Sequence, residues 1–275
     1  MDTIDRFKLD GKVTIITGGG GLLGYQHACA VTEAGSIPVL WDINSAAIED
    51  NCRKISKDHQ VECVAMTVDI TDPKSVQKGL DNLVSSLGRV DILINNAAND
   101  PKVAKDQSLA WGRVENLTLE MWQKDIEVGL TGAFICSKVV GSFMAQNGGG
   151  VILNIASDLG LIAPDQRIYR KEGLDDSSQP VKPVTYSVVK HGLIGLTKYL
   201  ATYWVDKGVR VNSISPGGVY TNQPEEFVEK LTNLIPMGRM AKIDEYKSSV
   251  VFLVSEASSY MTGANLAVDG GRTCW

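Results

Sequence analysis

The chain is short of the residues that build metal sites and disulfide frameworks. Its 275 residues include five cysteines and three histidines, and Cys29, Cys52, Cys63, Cys136 and Cys274 form no CxxC pair. Neither zinc-ligand spacing nor a disulfide scaffold can be written from them, which leaves reduced, buried thiols. Charge of one sign is missing too. The 32 acidic and 27 basic residues give a net charge of -5 and are spread without long blocks, so neither nucleic acid nor a membrane surface is expected as a partner. No stretch reads as approaching the apolar length of a bilayer span. The opening MDTIDRFKLDGK is charged and passes almost at once into a β-like run, unlike a signal or transit peptide, so a cytoplasmic protein is expected. Low-complexity tracts and internal repeats are absent. With 44% hydrophobic and 21% charged residues, the composition excludes a disordered chain.

What is present is alternation. Short β-branched runs at Val13–Thr17, Ile37–Trp41, Val61–Val68, Val90–Asn95, Val151–Ala156, Val209–Ser215 and Leu266–Val268 are separated by longer segments of helical spacing. Pro73–Leu87, Leu119–Gln146 and Tyr186–Lys207 are the clearest of these helical segments. Such βα repetition predicts an α/β fold: a doubly wound, Rossmann-type parallel sheet of about seven strands, in three layers with helices on both faces. Residues 1–275 are expected to form one such domain. One stretch breaks the pattern. Residues 161–183 carry Pro164, Pro180 and Pro183 with an RKEG run and DDSSQ, and they read as an inserted loop, either a functional one or a disordered surface insertion.

The run KVTIITGGGGLLGYQHACAVTEAG places a strand, a glycine-rich turn and an alanine-rich helix in succession. The turn's amides and the helix N-terminus then form an anion site suited to a pyrophosphate. Gly18 permits the tight turn and Gly24 lets the helix approach the sheet. Asp42 follows the second strand, about twenty residues past the glycine turn, where an acid binds both ribose hydroxyls of NAD. A carboxylate there repels the extra phosphate of NADP, so NAD is the expected cofactor. A helix-capping role for Asp42 is compatible with this.

From here the chain resembles the short-chain dehydrogenase/reductase family over nearly its whole length. The resemblance rests on TGGGGLLG at Thr17–Gly24, VDI at Val68–Ile70, NNAA at Asn95–Ala98, NIAS ending at Ser157, YSVVK at Tyr186–Lys190, SPGGVYT at Ser215–Thr221 and DGG at Asp269–Gly271. It implies that Gly18, Gly21, Leu22 and Leu23 hold the pyrophosphate and that Asp69 and Ile70 hold the adenine. It places Asn95 and Ala97 along the cofactor, and Pro216, Gly217, Val219 and Thr221 around the nicotinamide. Asn95 can equally fix the end of the fourth strand. A homodimer or homotetramer is implied as well. Two departures stand out: Leu22 replaces the middle glycine of the turn, and Gly129 replaces an asparagine that in the family holds a water behind the lysine.

Hydride transfer needs a group that takes the hydroxyl proton and returns it in reverse. A free tyrosine ionises near pH 10 and is a poor base at neutrality. Lys190, one turn after Tyr186 on the same helical face, supplies a positive charge that favours the phenolate. Ser157, at the end of the fifth strand, orients the substrate oxygen. Ser187 and Ser213 are its rivals if the register differs, Tyr169 lacks a lysine four residues on, and His191 points about 100° away from Lys190.

The 29 positions from Ser157 to Tyr186 exceed the family's usual spacing, so the insertion should overhang the substrate pocket. Its Arg167, Arg170, Lys171 and Lys182 suit a phosphate or carboxylate, or they form a solvated face neutralised by Glu172, Asp175 and Asp176. Asp100 and Lys102, with Asn99, suit a hydroxyl-rich substrate. The INNAANDPKV segment, the inserted loop and the closing DGGRTCW resemble the PtmA-like branch linked to surface-sugar and flagellin modification, which implies a sugar, sugar phosphate or nucleotide sugar. Two other readings stay open: a reductase of 3-oxoacyl thioesters or other ketones, and a catalytically weak NAD-binding sensor or scaffold.

Overall fold

The computed structural model describes residues 2–99 and 109–275. Seven strands form one parallel sheet in the order β3-β2-β1-β4-β5-β6-β7: β1 Val13–Thr17, β2 Ile37–Asp42, β3 Val64–Thr67, β4 Ile92–Asn95, β5 Gly150–Ile155, β6 Val209–Pro216 and β7 Asn265–Val268. The helices are α1 Leu22–Glu33, α2 Ser45–His59, α3 Pro73–Leu87, α4 Leu119–Ile126, α5 Gly132–Gln146, α6 Val184–Tyr203, α7 Glu225–Thr232 and α8 Lys247–Val254.

The period-two geometry of strands divides their side chains between two cores. Val13, Ile15, Val39, Trp41, Leu93, Ile152 and Val211 face Val76, Leu80 and Leu83 of α3, Val140 and Met144 of α5, and Leu200 of α6. Ile16, Leu40, Ile92, Ile94, Leu153 and Ile214 face Ala28 and Val31 of α1, Ile48 and Ile55 of α2, and Val250 and Leu253 of α8. Strands buried on both faces cannot show polar alternation, which is why they read as near-continuous apolar runs.

Two strands start later than the sequence suggests. Gln60 adopts a left-handed φ of 55° to end α2, so the residues up to Cys63 complete the turn and β3 opens at Val64. At β4, Gly88 caps α3 with φ 74°, and the chain pairs from Ile92.

The expectation that nothing reaches membrane-spanning length needs correcting. Among the described residues, Leu119–Gln146 is a continuous helical run of 28 residues, apolar enough to cross a bilayer. Half of its most apolar stretch is buried, because α5 packs on β4, β5 and α3. Glu120, Lys124, Asp125 and Glu127 crowd its first third and mask the apolar part in the sequence. At Glu127–Thr131 the run widens into a π turn that joins α4 to α5.

Candidate active site

The strand order reverses beside β1, and the crevice at the carboxyl ends of β1 and β4 is where such sheets bind ligands. A cleft of about 760 Å³ opens there, running from the glycine turn past Asp42 and Asp69 to Ser157, Tyr186 and Arg272. Its volume lies within the ordinary range of small-molecule sites.

The β1–α1 turn is built for close approach. Gly18 has φ 65°, which strains any side chain, and a Cβ on Gly24 would lie 2.2 Å from the Gly18 carbonyl oxygen. The helix N-cap is Gly21, which offers no side chain to the first-turn amides. Leu22 and Leu23 line the cleft, so the start of α1 suits a diphosphate. Asp42 Oδ2 accepts from the Gly20 amide at 3.0 Å and Oδ1 from the Asn44 amide at 3.0 Å. The carboxylate is thus held at the cleft wall as a fixed negative charge. Asp69 is steadied by Thr71, whose amide and hydroxyl donate to its Oδ1 at 2.9 and 2.7 Å. Ile70, Ala97, Pro216, Gly217, Val219 and Thr221 also line the cleft. These groups together fit a nicotinamide dinucleotide.

Asn95 differs from its expected place along the cofactor. It is 3% exposed, and its Nδ2 donates inward to Ser137 Oγ at 2.9 Å and Asn154 Oδ1 at 2.8 Å. The neighbouring Asn96 stands at the cleft instead, its Nδ2 bonded to the Thr17 carbonyl at 2.9 Å. Asp100 and Lys102 lie outside the described residues.

Ser157, Tyr186 and Lys190 meet at one end of the cleft. Pro183 precedes the first turn of α6, where its fixed φ suits the start of a helix, and the helix carries Tyr186 and Lys190 along one face. Lys190 is buried and donates from Nζ to the Ile155 carbonyl at 2.8 Å. Its ammonium lies 5.8 Å from the Tyr186 ring centroid, and that of Lys182 lies 3.8 Å above the same ring. Two cations beside one phenol favour its ionised form. Burial pushes the rival Tyr169 up to about 12, far from proton exchange at neutral pH.

The sequence reading missed Asp158 and Arg272. Ser157 Oγ donates to Asp158 Oδ1 at 2.7 Å, and Arg272 Nη1 meets Asp158 Oδ2 at 2.8 Å. Side-chain exposures of 5% for Asp158 and 6% for Arg272 make this a buried ion pair on the cleft wall. Asp269 aims the C-terminal segment, accepting from the amides of Gly271 and Thr273 at 2.9 Å each. The partners are 114 positions apart, and no local pattern announces such a pair.

The insertion is ordered. Gln166 clasps Lys182 through both its backbone groups, and Gln179 bonds the amide and carbonyl of Lys171 and the carbonyl of Leu174. Ile168 is buried with Leu231, Ile235 and Met240, and Tyr169 packs on Phe227 with ring centroids 5.6 Å apart. Tyr169 and Lys182 reach the cleft, whereas Arg167 and Arg170 are not among its lining residues. Arg167 turns back on Asp165, with Nη2 2.6 Å from Oδ2, and this grip pulls the Asp165 carboxyl down to about 2. Arg170 is exposed and pairs with Asp176 at 3.7 Å. Arg167 is held by its neighbour Asp165, Arg170 stands at the exposed surface, and neither lines the cleft.

The family model described as enoyl-(acyl carrier protein) reductase matches residues 21–273. A D-threitol dehydrogenase of Mycolicibacterium smegmatis is 34% identical over 272 residues, covering 97% of this chain and 95% of the relative. Among solved structures, a short-chain type dehydrogenase/reductase from Mycobacterium marinum is 30% identical, with a TM-score of 0.85 and full coverage of both chains. A gluconate 5-dehydrogenase from Burkholderia cenocepacia, in complex with NADP and tartrate, is 26% identical, with the same TM-score and coverage.

Proposed function

The chain belongs to the short-chain dehydrogenase/reductase family, and on that premise we propose that it is an NAD(H)-dependent dehydrogenase that interconverts a secondary alcohol and a ketone on a sugar, sugar phosphate, nucleotide sugar or related polyol. The observation that carries this reading is Tyr186 beside the ammonium groups of Lys182 and Lys190, with Ser157 in the same cleft. In alcohol oxidation Tyr186, as phenolate, takes the hydroxyl proton. Ser157 holds the substrate oxygen in place, and Lys190 keeps the phenolate favoured. The nicotinamide, when bound, supplies the hydride acceptor. Leu22, Leu23 and Gly21 hold the diphosphate, Asp42 the adenosine ribose, and Asp69 and Ile70 the adenine side.

A polar substrate is supported by Asn99, Asp158, Lys182, Gln223 and Arg272 on the cleft wall. The threitol and gluconate dehydrogenases among its relatives point the same way. Asp42 supports NAD over NADP by charge repulsion, although the Burkholderia neighbour carries NADP. Assembly as a homodimer or homotetramer belongs to the same reading, supported by the stacked, exposed Tyr199 and Tyr203 on α6.

The test is a panel of D-threitol, D-mannitol, gluconate, sugar phosphates, nucleotide sugars and 3-oxoacyl thioesters, each run with both cofactors. Turnover of a polyol or sugar with NAD+, lost in Tyr186→Phe while NADH binding persists, is the expected result. Turnover of the thioesters alone overturns the substrate class, and full activity of Tyr186→Phe overturns the mechanism.

A further inference from the structure

Three acids line the cleft among the described residues: Asp42, Asp69 and Asp158. The first two serve the adenosine half, and proton transfer through Tyr186 makes no use of the third. Asp158 opens the short 3-10 turn Asp158–Gly160, directly after Ser157. A Cβ on Gly160 would lie 2.9 Å from the Lys190 carbonyl oxygen, so this turn is pressed against α6, the helix that carries Tyr186. The acid and the catalytic pair share one rigid frame.

A serine hydroxyl has one hydrogen to give and two lone pairs to accept with. The Ser157 hydrogen goes to Asp158 Oδ1 at 2.7 Å, and the Leu159 amide donates to Ser157 Oγ at 3.2 Å. Asp158 Oδ1 also accepts from the Leu159 amide at 2.8 Å, and Oδ2 from Arg272 at 2.8 Å. When the serine turns its hydrogen to a substrate oxygen, Oδ1 gives up a donor. Asp158 is only 3% exposed, so bulk water is a poor replacement, and a buried carboxylate short of donors is costly. A hydroxyl on the carbon next to the one being oxidised can make good the loss. Ser157 Oγ and Asp158 Oδ1 stand about as far apart as the oxygens of a gauche vicinal diol, so one diol oxygen can take the serine hydrogen while its neighbour donates to the carboxylate.

We propose that Asp158 is a specificity-determining residue that recognises the hydroxyl beside the reacting carbon, and that the substrate therefore presents a vicinal diol. The inference rests on Tyr186 being the acid/base for alcohol oxidation. Arg272 is a positioning residue for Asp158, itself set in place by the bonds from Asp269 to the amides of Gly271 and Thr273. An isolated secondary alcohol leaves Asp158 unmatched, and so does a 3-oxoacyl thioester, which has no hydroxyl beside its ketone.

The test is competition by cis-cyclohexane-1,2-diol, cyclohexane-1,3-diol and cyclohexanol against the fastest substrate of the panel, on the NAD+-loaded enzyme. The vicinal diol should bind about tenfold or more tightly than the other two, as one hydrogen bond to a charged group allows. Asp158→Asn keeps the shape and should shrink that margin to about threefold or less, because a neutral acceptor is weaker. In the double variant, Asp158→Leu with Arg272→Met, no unpaired charge is buried and the margin should vanish. NADH affinity should stay unchanged in both. A wild-type margin below about threefold, or no inhibition by the vicinal diol, overturns the inference, as does a margin that persists in both variants. Equal weakening of all three compounds overturns it too, since that is what a purely structural role gives. The wild-type comparison decides the point even where a variant fails to fold. If the margin is missing while a polyol is turned over and Tyr186→Phe is inactive, this inference falls and the proposed function stands; no turnover of any polyol or sugar, or an active Tyr186→Phe, brings down both.

Discussion

Arg272→Met breaks the buried pair on the cleft wall while keeping the arginine's apolar stem. Removing one partner of a buried ion pair leaves an uncompensated charge and typically costs about 3–5 kcal/mol. The partners here are 2.8 Å apart with side chains only 6% and 5% exposed, so solvent screens them little and the full range applies. Asp158 also accepts hydrogen bonds from Ser157 Oγ and the Leu159 amide, so Asp158→Leu loses about 1 kcal/mol for each of those and strands the guanidinium. The double variant, Asp158→Leu with Arg272→Met, buries no charge and should be less destabilised than Arg272→Met alone. Urea unfolding of the four proteins, at matched concentration because assembly shifts apparent stability, yields the coupling energy. A loss below about 1 kcal/mol for Arg272→Met, or a double variant equal to the sum of the singles, refutes the reasoning.

Other perturbations follow from the same geometry. Gly24→Ala puts a Cβ 2.2 Å from the Gly18 carbonyl oxygen and forces the turn open, so NADH binding measured by fluorescence should weaken about tenfold or more, in line with overpacking costs of about 1–3 kcal/mol. Asp42→Ala removes a charge whose repulsion of a phosphate is worth about 1–4 kcal/mol at close range, and the ratio of kcat/KM for NAD+ over NADP+ should drop about tenfold. Burial holds His27 down at about 4 against an ordinary 6.5, and its ring nitrogens have no partner among the described residues. Its unfolded form binds a proton below pH 6.5 that the native form refuses until about pH 4. Stability should therefore decline as pH falls through that window, by about 3 kcal/mol in total. His27→Leu should flatten this acid limb in urea melts at stepped pH.

The sheet was legible because its strands are apolar runs set between helical periods, and the glycine turn because a positive φ at Gly18 and a tight contact at Gly24 leave few residue choices. Tyr186 and Lys190 share a helical face by spacing alone. Asp158 and Arg272 were invisible, since a contact across 114 positions leaves no periodic trace. Arg167 and Arg170 do not line the cleft, and basic composition does not reveal that Asp165 grips the one or that the other stands in solvent.

The inserted segment has a consequence for how such a chain can change over generations. Gln166 and Gln179 close several of its hydrogen bonds within residues 166–182, and it runs between the turn that follows β5, where Ser157 stands, and α6, which holds Tyr186 and Lys190. Changing the length of such a unit costs the entropy of closing a loop, which grows slowly with length, and exchanging it also costs the packing of Ile168 on Leu231, Ile235 and Met240. Ser157, Tyr186 and Lys190 lie outside the segment, so a replacement that keeps Lys182 over the Tyr186 ring leaves the chemistry in place. Grafting a different segment between Gly160 and Lys182, with both kept, is therefore the most direct way to redirect this scaffold to new substrates.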